Sequence, residues 1–355
     1  MNWKFILWPF ALIYGWVTRF RNFLFDIGVL QSKSYSIPVI SIGNLSAGGT
    51  GKTPHVEYLI RLLKDEFKIA VLSRGYGRST KGYVEVMVDS SSENVGDEPL
   101  QFKKKFPSVT VAVCEKRVHG IDRLIKEHQP TIILLDDAFQ HRYVKPSINI
   151  LLTSFSKPFY NDFLLPMGHL RESINGKARG SLIIVTKCPE NLSEEKRSAI
   201  IQKISPLPTQ QVCFSFIKYG EIVSFNHYNE TGKDIYINHI NHINHSVLLV
   251  CGIADPTQIE QHLRSKFSKV EKMVFPDHHH YTTADLKAIA GKFNNIAARE
   301  KIIITTEKDF MRLGLAQSQQ LPFYYLPIEI DFDEKDKHAF NQYIIEHVRK
   351  NQTNR

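Results

Sequence analysis

Cysteine is scarce in this 355-residue chain, and the few present do not pair by spacing. Cys114, Cys188, Cys213 and Cys251 stand far apart, each in or beside an apolar stretch, with no CxxC motif. That excludes a disulfide framework and predicts reduced core residues in a cytosolic compartment. No apolar run reaches the about 20 residues that a membrane-crossing helix needs. The longest, residues 5–17 (FILWPFALIYGWV), contains Pro9 and Gly15 and breaks into Thr18, Arg19, Phe20, Arg21 and Asn22 before a second apolar cluster at 23–25. No A-x-A-like cleavage site follows it, which argues against a secretory signal. Acidic residues are outnumbered, 36 Asp and Glu against 45 Lys and Arg, for a net charge of +9. The excess points to an acidic partner: nucleic acid, an anionic membrane surface or a phosphorylated substrate. Single-stranded nucleic acid would suit arginines beside aromatic residues, but RNP, zinc-finger and helix-turn-helix signatures are missing, so no nucleic-acid partner is expected.

What is present is enough apolar sequence, 43% of residues, to bury a full core in one large or two medium domains. At the N-terminus, Trp3, Trp8, Tyr14 and Trp16 accompany Lys4, Arg19 and Arg21, a mixture that suits a helix lying in a lipid headgroup region. A core helix of the globular body is the alternative. From residue 37 onward, short β-branched runs alternate with stretches of helical period, which predicts an α/β fold with a largely parallel sheet. Expected strands are 38–42, 68–73, 83–88, 109–113, 131–135, 148–152 and 182–186, with helices at 52–64, 98–105, 117–128 and 193–204. A polar, Asn- and His-rich segment ending in a threefold Ile-Asn-His (237–245) reads as a linker or hairpin insertion. Its histidines lack a Cys, Asp or Glu at ligand spacing, so a metal site is disfavoured. Alternation then resumes with strands at 247–251, 269–275 and 301–305 and helices at 256–266, 284–293 and 337–348. The expected organisation is an N-terminal membrane-associated helix (1–30), a nucleotide-binding core (31–215), a linker (216–245) and a second, smaller α/β lobe (246–355).

Ser46-Ala47-Gly48-Gly49-Thr50-Gly51-Lys52-Thr53 stands between an apolar strand and a helical segment. It reads as a Walker A loop, in which glycines let backbone N–H groups turn in around phosphates. Lys52 reaches the terminal phosphates, and the Thr53 hydroxyl suits Mg2+. Ser46 departs from the first glycine of the motif. The strand 131–135 ends in Asp136 and Asp137, as a Walker B strand does when it delivers a carboxylate to the metal of a bound ATP; the doublet leaves open which of the two binds directly, and a plain turn is the alternative. Asp97, in Gly96-Asp97-Glu98-Pro99, suits both a helix cap and a catalytic carboxylate that accepts the proton of an attacking hydroxyl. Asp277-His278-His279-His280 follows an expected strand, with a catalytic histidine, a metal site and a solvated loop all open. Basic loops recur at Arg74 to Arg78, at Arg117, at Gln140-His141-Arg142 and at Arg171-Glu172.

In this order along most of the chain, these motifs resemble the bacterial tetraacyldisaccharide 4'-kinase (lipid A 4'-kinase) family. The carrying segments are 43–53, Ser73-Arg74-Gly75-Tyr76-Gly77, Gly96 to Pro99, Asp136 to Arg142, Leu165 to Glu172, Asp277-His278 and Thr305 to Asp309. Ser46 is no departure within that family. The resemblance implies a P-loop NTPase-like kinase that transfers the ATP γ-phosphoryl group to the 4'-hydroxyl of a tetraacyldisaccharide 1-phosphate. The site of action would be the cytoplasmic face of the inner membrane, with no obligatory protein partner. It implies Asp97 and His278 as a catalytic dyad and Thr53 and Asp136 as Mg2+ ligands, with Asp137 and Glu172 as supplementary groups. Arg171, Gln140, His141, Arg74 and Arg117 would face donor or acceptor. The rival is a dimeric P-loop ATPase switch or metallochaperone, whose signature lysine before the double glycine is here Ala47.

Overall fold

The computed structural model of the chain describes residues 6–224, 245–277, 279–313 and 321–353. It divides into two units, Met1–Ile217 with Ile330–Arg355, and Lys218–Glu329. In the first unit, runs that are apolar from end to end become interior strands, because side chains alternate in direction and both faces of a parallel sheet are covered. The strands β1 (Val39–Asn44), β2 (Ile69–Ser73), β5 (Ile132–Asp136), β6 (Ile148–Ser154) and β7 (Leu182–Thr186) are buried throughout. With β3 (Val84–Glu85), β4 (Thr110–Val113), β8 (Gln211–Tyr219) and β14 (Ile328–Phe332), they form a nine-stranded sheet in the order β14-β8-β7-β6-β1-β5-β2-β4-β3. The pairings from β8 through β4 are parallel, and β3 adds antiparallel at the edge. The fold is thus the α/β class with a largely parallel sheet that the alternation predicts, as the resemblance to P-loop kinases also implies.

Two helices, α2 (Lys52–Leu63) and α4 (Asp97–Lys105), the latter just after the single turn α3 (Ser92–Val95), lie on one face of this sheet. Their Val56, Leu59, Ile60, Leu63, Leu100 and Phe102 pack against Ile40, Ile42 and Val71. On the opposite face, Ile121 and Leu124 of α5 (Arg117–His128) pack on Ala70, Leu72 and Ala112. Residues 70 and 72 facing one way and 71 the other is the strand period of two at work. The second unit is a five-stranded sheet, β11-β10-β12-β13-β9. Its strands are β9 (Val223–Ser224), β10 (Ser246–Cys251), β11 (Lys269–Val274), β12 (Lys301–Thr306) and β13 (Phe323–Leu326), with β9 alone antiparallel.

Several expectations shift. The strand expected over 83–88 shortens to β3: as an edge strand it has one neighbour, and after Val86, which still donates to the Val111 carbonyl (2.8 Å), Met87 N–H turns away to Ser90 Oγ. The linker expected over 216–245 begins inside β8, and residues 225–244, most of the Ile-Asn-His tract, lie outside the described residues. The second lobe does not run to the C-terminus. The last helix, Glu334–Thr353, returns to the first unit, where Phe340, Ile344 and Val348, one turn apart, complete the α2 face. Tyr58 of α2 donates to Asn341 Oδ1 (2.9 Å) and meets the Phe332 and Phe340 rings edge-on.

The N-terminal helix α1 (Trp8–Asp26) buries Ala11, Gly15 and Phe25 and leaves Phe10, Ile13, Trp16, Val17, Phe20 and Phe23 exposed. Among the described residues, no helix is long and apolar enough to cross a membrane. All four cysteines are buried and unpaired.

One buried polar side chain ties α2 to the sheet. The ring of His55 donates from Nδ1 to the Gly51 carbonyl (2.7 Å), which leaves Nε2 to accept from Ser215 Oγ on β8 (3.0 Å). Burial pushes this imidazole down to about 4 against the pull of the Gly51 carbonyl. Accepting at Nε2 needs the neutral ring and burial disfavours the charged one, whereas the unfolded chain takes up the proton near the ordinary value of about 6.5. Stability should therefore be full above that value and fall as the pH drops from about 6.5 towards 4, by roughly 1.4 kcal/mol per pH unit for a single such group. Denaturant titrations at pH 7.5, 6 and 5 check this; the His55→Asn protein should show a shallower slope, and an unchanged slope would refute the assignment.

Candidate active site

The central neighbours β1 and β5 run parallel with Ile42 beside Asp136, so the loop after β1 and the carboxylates after β5 leave the same sheet edge side by side. The turn 46–53 is held from outside. Ser46 bridges to Leu170, Ala47 N–H donates to the His169 carbonyl (2.7 Å), and Thr186 Oγ1 donates to the Thr50 carbonyl (2.8 Å). From below, buried Asn44 donates to Thr50 Oγ1 (2.8 Å). Gly48 and Gly51 take φ of +118° and +84°, values that side chains on Cβ disfavour. Gly48 and Gly49 are exposed, and Lys187 Nζ lies 4.0 Å from where a Cβ on Gly49 would stand. Lys52 and Thr53 open α2 directly after the turn, so the helix N-terminus and the ammonium point their positive character at the loop's concavity. This is the shape that receives a chain of phosphates.

Asp136 is fully buried. Its Oδ2 accepts from Ser73 Oγ (2.9 Å), while Oδ1 has no hydrogen-bond partner. Burial, with the Glu98 and Asp137 carboxylates nearby, holds the Asp136 carboxyl well above the usual carboxylate range, against Lys52 and the Ser73 hydroxyl. Asp137, in the left-handed region at φ +46°, behaves oppositely. Burial raises it, but Lys52 (3.6 Å) and Arg171 (3.1 Å) outweigh that and hold it below the usual range. A buried oxygen without a partner among three carboxylates fits a hard cation. Among the described residues, no three or more His, Cys, Asp or Glu side chains are grouped as a metal cage. One or two carboxylates and the Thr53 hydroxyl, completed by phosphate oxygens and water, suit Mg2+ in particular.

A basic rim borders these carboxylates. Arg74 is exposed, and its charge, with those of Arg117 and Arg21, reaches His141; burial and then those cations push His141 down to about 4, so the ring is neutral. Gln140 donates from Nε2 to the Asn44 carbonyl (2.7 Å), and Arg171 reaches its Oε1 (3.5 Å). Two expected site residues instead serve the fold. Glu172, expected beside the metal, is buried, with Oε1 accepting from Arg179 (2.7 Å) and Gln140 (3.2 Å) and Oε2 from Asn22 of α1 (2.9 Å). Arg117, expected to face substrate, is buried and donates to the carbonyls of Cys114 (2.6 Å) and Asp136 (3.1 Å), clamping the turn after β5.

Asp97 is the first residue of α4, half-buried, with Glu98 next to it. Sequence reasoning passed over Glu98, although its place beside Asp97 was the available signal; its charge bears on Asp136. In the second unit, His278 lies outside the described residues. The neighbouring His279 has a packing role that was not anticipated. It stacks on Phe275 (4.7 Å) and pairs with Asp285 (3.0 Å), which also caps the helix Thr283–Asn294.

Known proteins are similar to this chain over most of its length. The sequence model of the family described as Tetraacyldisaccharide-1-P 4'-kinase matches residues 3–349. A tetraacyldisaccharide 4'-kinase of Bacteroides thetaiotaomicron is 46% identical over 98% of this chain and 94% of its own length. That of Flavobacterium johnsoniae is 45% identical over 98% and 97% respectively. Among solved structures, LpxK from Aquifex aeolicus in complex with ATP superposes with a TM-score of 0.74 at 28% identity, covering 97% of this chain and 99% of that one. With the family model matching residues 3–349 and relatives of 45–46% identity covering nearly its full length, the chain belongs to the tetraacyldisaccharide 4'-kinase family.

Proposed function

We propose that this kinase transfers the γ-phosphoryl group of ATP to the 4'-hydroxyl of a tetraacyldisaccharide 1-phosphate, an early lipid A intermediate, by in-line displacement with Mg2+ bound. The carrying observation is the opposition of Lys52, at the P-loop, to the Asp136–Asp137 pair on the neighbouring strand. The backbone of 46–51 cradles the phosphates, and Lys52 neutralises charge that grows on the transferring group. Thr53 and Asp136, with Asp137 alongside, would hold Mg2+, which would supply neutralisation of phosphate charge. Asp97 accepts the proton of the attacking hydroxyl, and His278 is its partner in the dyad. Arg171, Gln140, His141 and Arg74 face donor or acceptor, where cations suit the acceptor's 1-phosphate.

The acceptor carries acyl chains, so the enzyme works where those chains are dissolved. The outward side of α1, with Ile13, Trp16, Val17 and Phe20 exposed, and a net charge of +9 favour the anionic cytoplasmic face of the inner membrane, which α1 meets as an interfacial helix.

Label from γ-labelled ATP should appear in tetraacyldisaccharide 1-phosphate in detergent micelles with Mg2+, and chelation with EDTA should stop it. Release of label as free phosphate regardless of acceptor would instead favour an NTPase switch. Lys52→Ala should lower turnover by about 10²-fold or more. Asp97→Ala should lower kcat by roughly 10²- to 10⁴-fold with ATP affinity changed less than about twofold; a matching loss of ATP affinity would remove Asp97 from the base role.

A further inference from the structure

Glu57 is a carboxylate with 1% of its surface exposed, set among the core side chains Val56, Leu59 and Ile60 of α2. Burying it is costly unless partners compensate, and most of its partners come from α4. Gln101, itself buried, donates from Nε2 to Glu57 Oε1 (2.7 Å), and Lys105 Nζ stands 2.8 Å from Oε2 as a close ion pair. Arg61, one turn along α2, approaches the same oxygen at 3.7 Å. Gln101 and Lys105 follow Asp97 at intervals of four, so all three share one face of α4, as Thr53 and Glu57 share one face of α2.

The topology fixes the directions. The helix α2 joins β1 to β2 and α4 leads into β4, while β1, β2 and β4 are mutually parallel through β5. Both helices therefore run back against the strands and parallel to each other on the same face. One turn towards the N-terminus from the Glu57–Gln101 bond, about 5.4 Å, stand Thr53 on one helix and Asp97 on the other. Gly96 caps α4 without a side chain at φ +92°, where a Cβ would stand 3.2 Å from Gly75 Cα.

We infer that Glu57 is a positioning residue for phosphoryl transfer. Its bond to Gln101 and ion pair with Lys105 set the height and rotation of α4, and hence where the Asp97 carboxylate stands against Thr53 and the P-loop. The inference rests on Asp97 as the acceptor of the hydroxyl proton.

The test is a double-mutant cycle on the full chain, assayed for transfer to tetraacyldisaccharide 1-phosphate in micelles. Gln101→Leu and Glu57→Leu should each lower kcat about 10- to 100-fold, as misplacement of a reacting group by about 1 Å does, with the KM for ATP changed less than about threefold. Glu57→Gln, whose amide oxygen still accepts from Gln101, should recover most of the loss. In the Asp97→Asn background, Gln101→Leu should cost less than about twofold further, because the group it positions is already disabled. Should Glu57→Leu fail to fold, Gln101→Leu carries the cycle alone. Equal losses in both backgrounds, or a KM for ATP that rises in step with the fall in kcat, would overturn the inference while leaving Asp97 as base. Full activity of Asp97→Asn by itself would overturn the base assignment, and the positioning inference with it.

Discussion

A carboxylate buried at the end of an apolar strand governs the architecture of this protein. Asp136 closes β5, a strand with no exposed residue, and carries an oxygen with no hydrogen-bond partner. Nothing about packing favours such a group, since an apolar residue there would cost no desolvation. Its surroundings make sense as compensation. Ser73 at the end of β2 donates to it, Arg117 grips its backbone carbonyl, and the neighbouring Asp137 is turned into the left-handed region, where Lys52 and Arg171 meet it. The sheet order places the ends of β1, β5 and β2 next to one another, so three short loops deliver this charge pattern without any long excursion of chain.

Around that centre runs a second layer of polar bonds that binds loops to one another. The P-loop leans on His169, Leu170 and Thr186, and Glu172 gathers Gln140, Arg179 and Asn22 into one knot. These bonds are buried or partly buried, where each is worth more than on the surface and where an unmade one is expensive. The consequence is a rigid edge whose groups need little reorganisation when charge moves, which is how electrostatic catalysis works best.

How much of this the sequence discloses depends on whether a function demands particular residues or only a type. The P-loop was legible because a glycine-rich turn followed by Lys-Thr has one common use, and Asp136 because it ends a strand of unbroken apolar residues. Glu172 and Arg117 were misplaced because an acid or a base in a loop looks the same whether it meets a ligand or a buried partner; burial decides, and burial is not written locally. The return of residues 330–355 to the first unit was invisible for a related reason. The spacing of Phe340, Ile344 and Val348 announces an apolar helix face without naming the sheet it will cover. β8 was hidden inside a segment whose polar tail suggested a linker. His279, in a histidine cluster for which the sequence left catalysis, a metal site and a solvated loop all open, stacks on Phe275 and pairs with Asp285.

The way α1 is fastened has a consequence of its own. Tyr14 donates to the Arg171 carbonyl, Arg21 to the Gln140 carbonyl and Asn22 to Glu172, at 2.8, 2.8 and 2.9 Å. The Arg171 side chain pairs with Asp137 and reaches Gln140, which in turn donates to Glu172, so α1 is bonded to the loops that border this carboxylate. The seating of α1 and the geometry around Asp137 are therefore not independent: a substitution that loosens the helix is felt in the loops that carry Arg171 and Gln140.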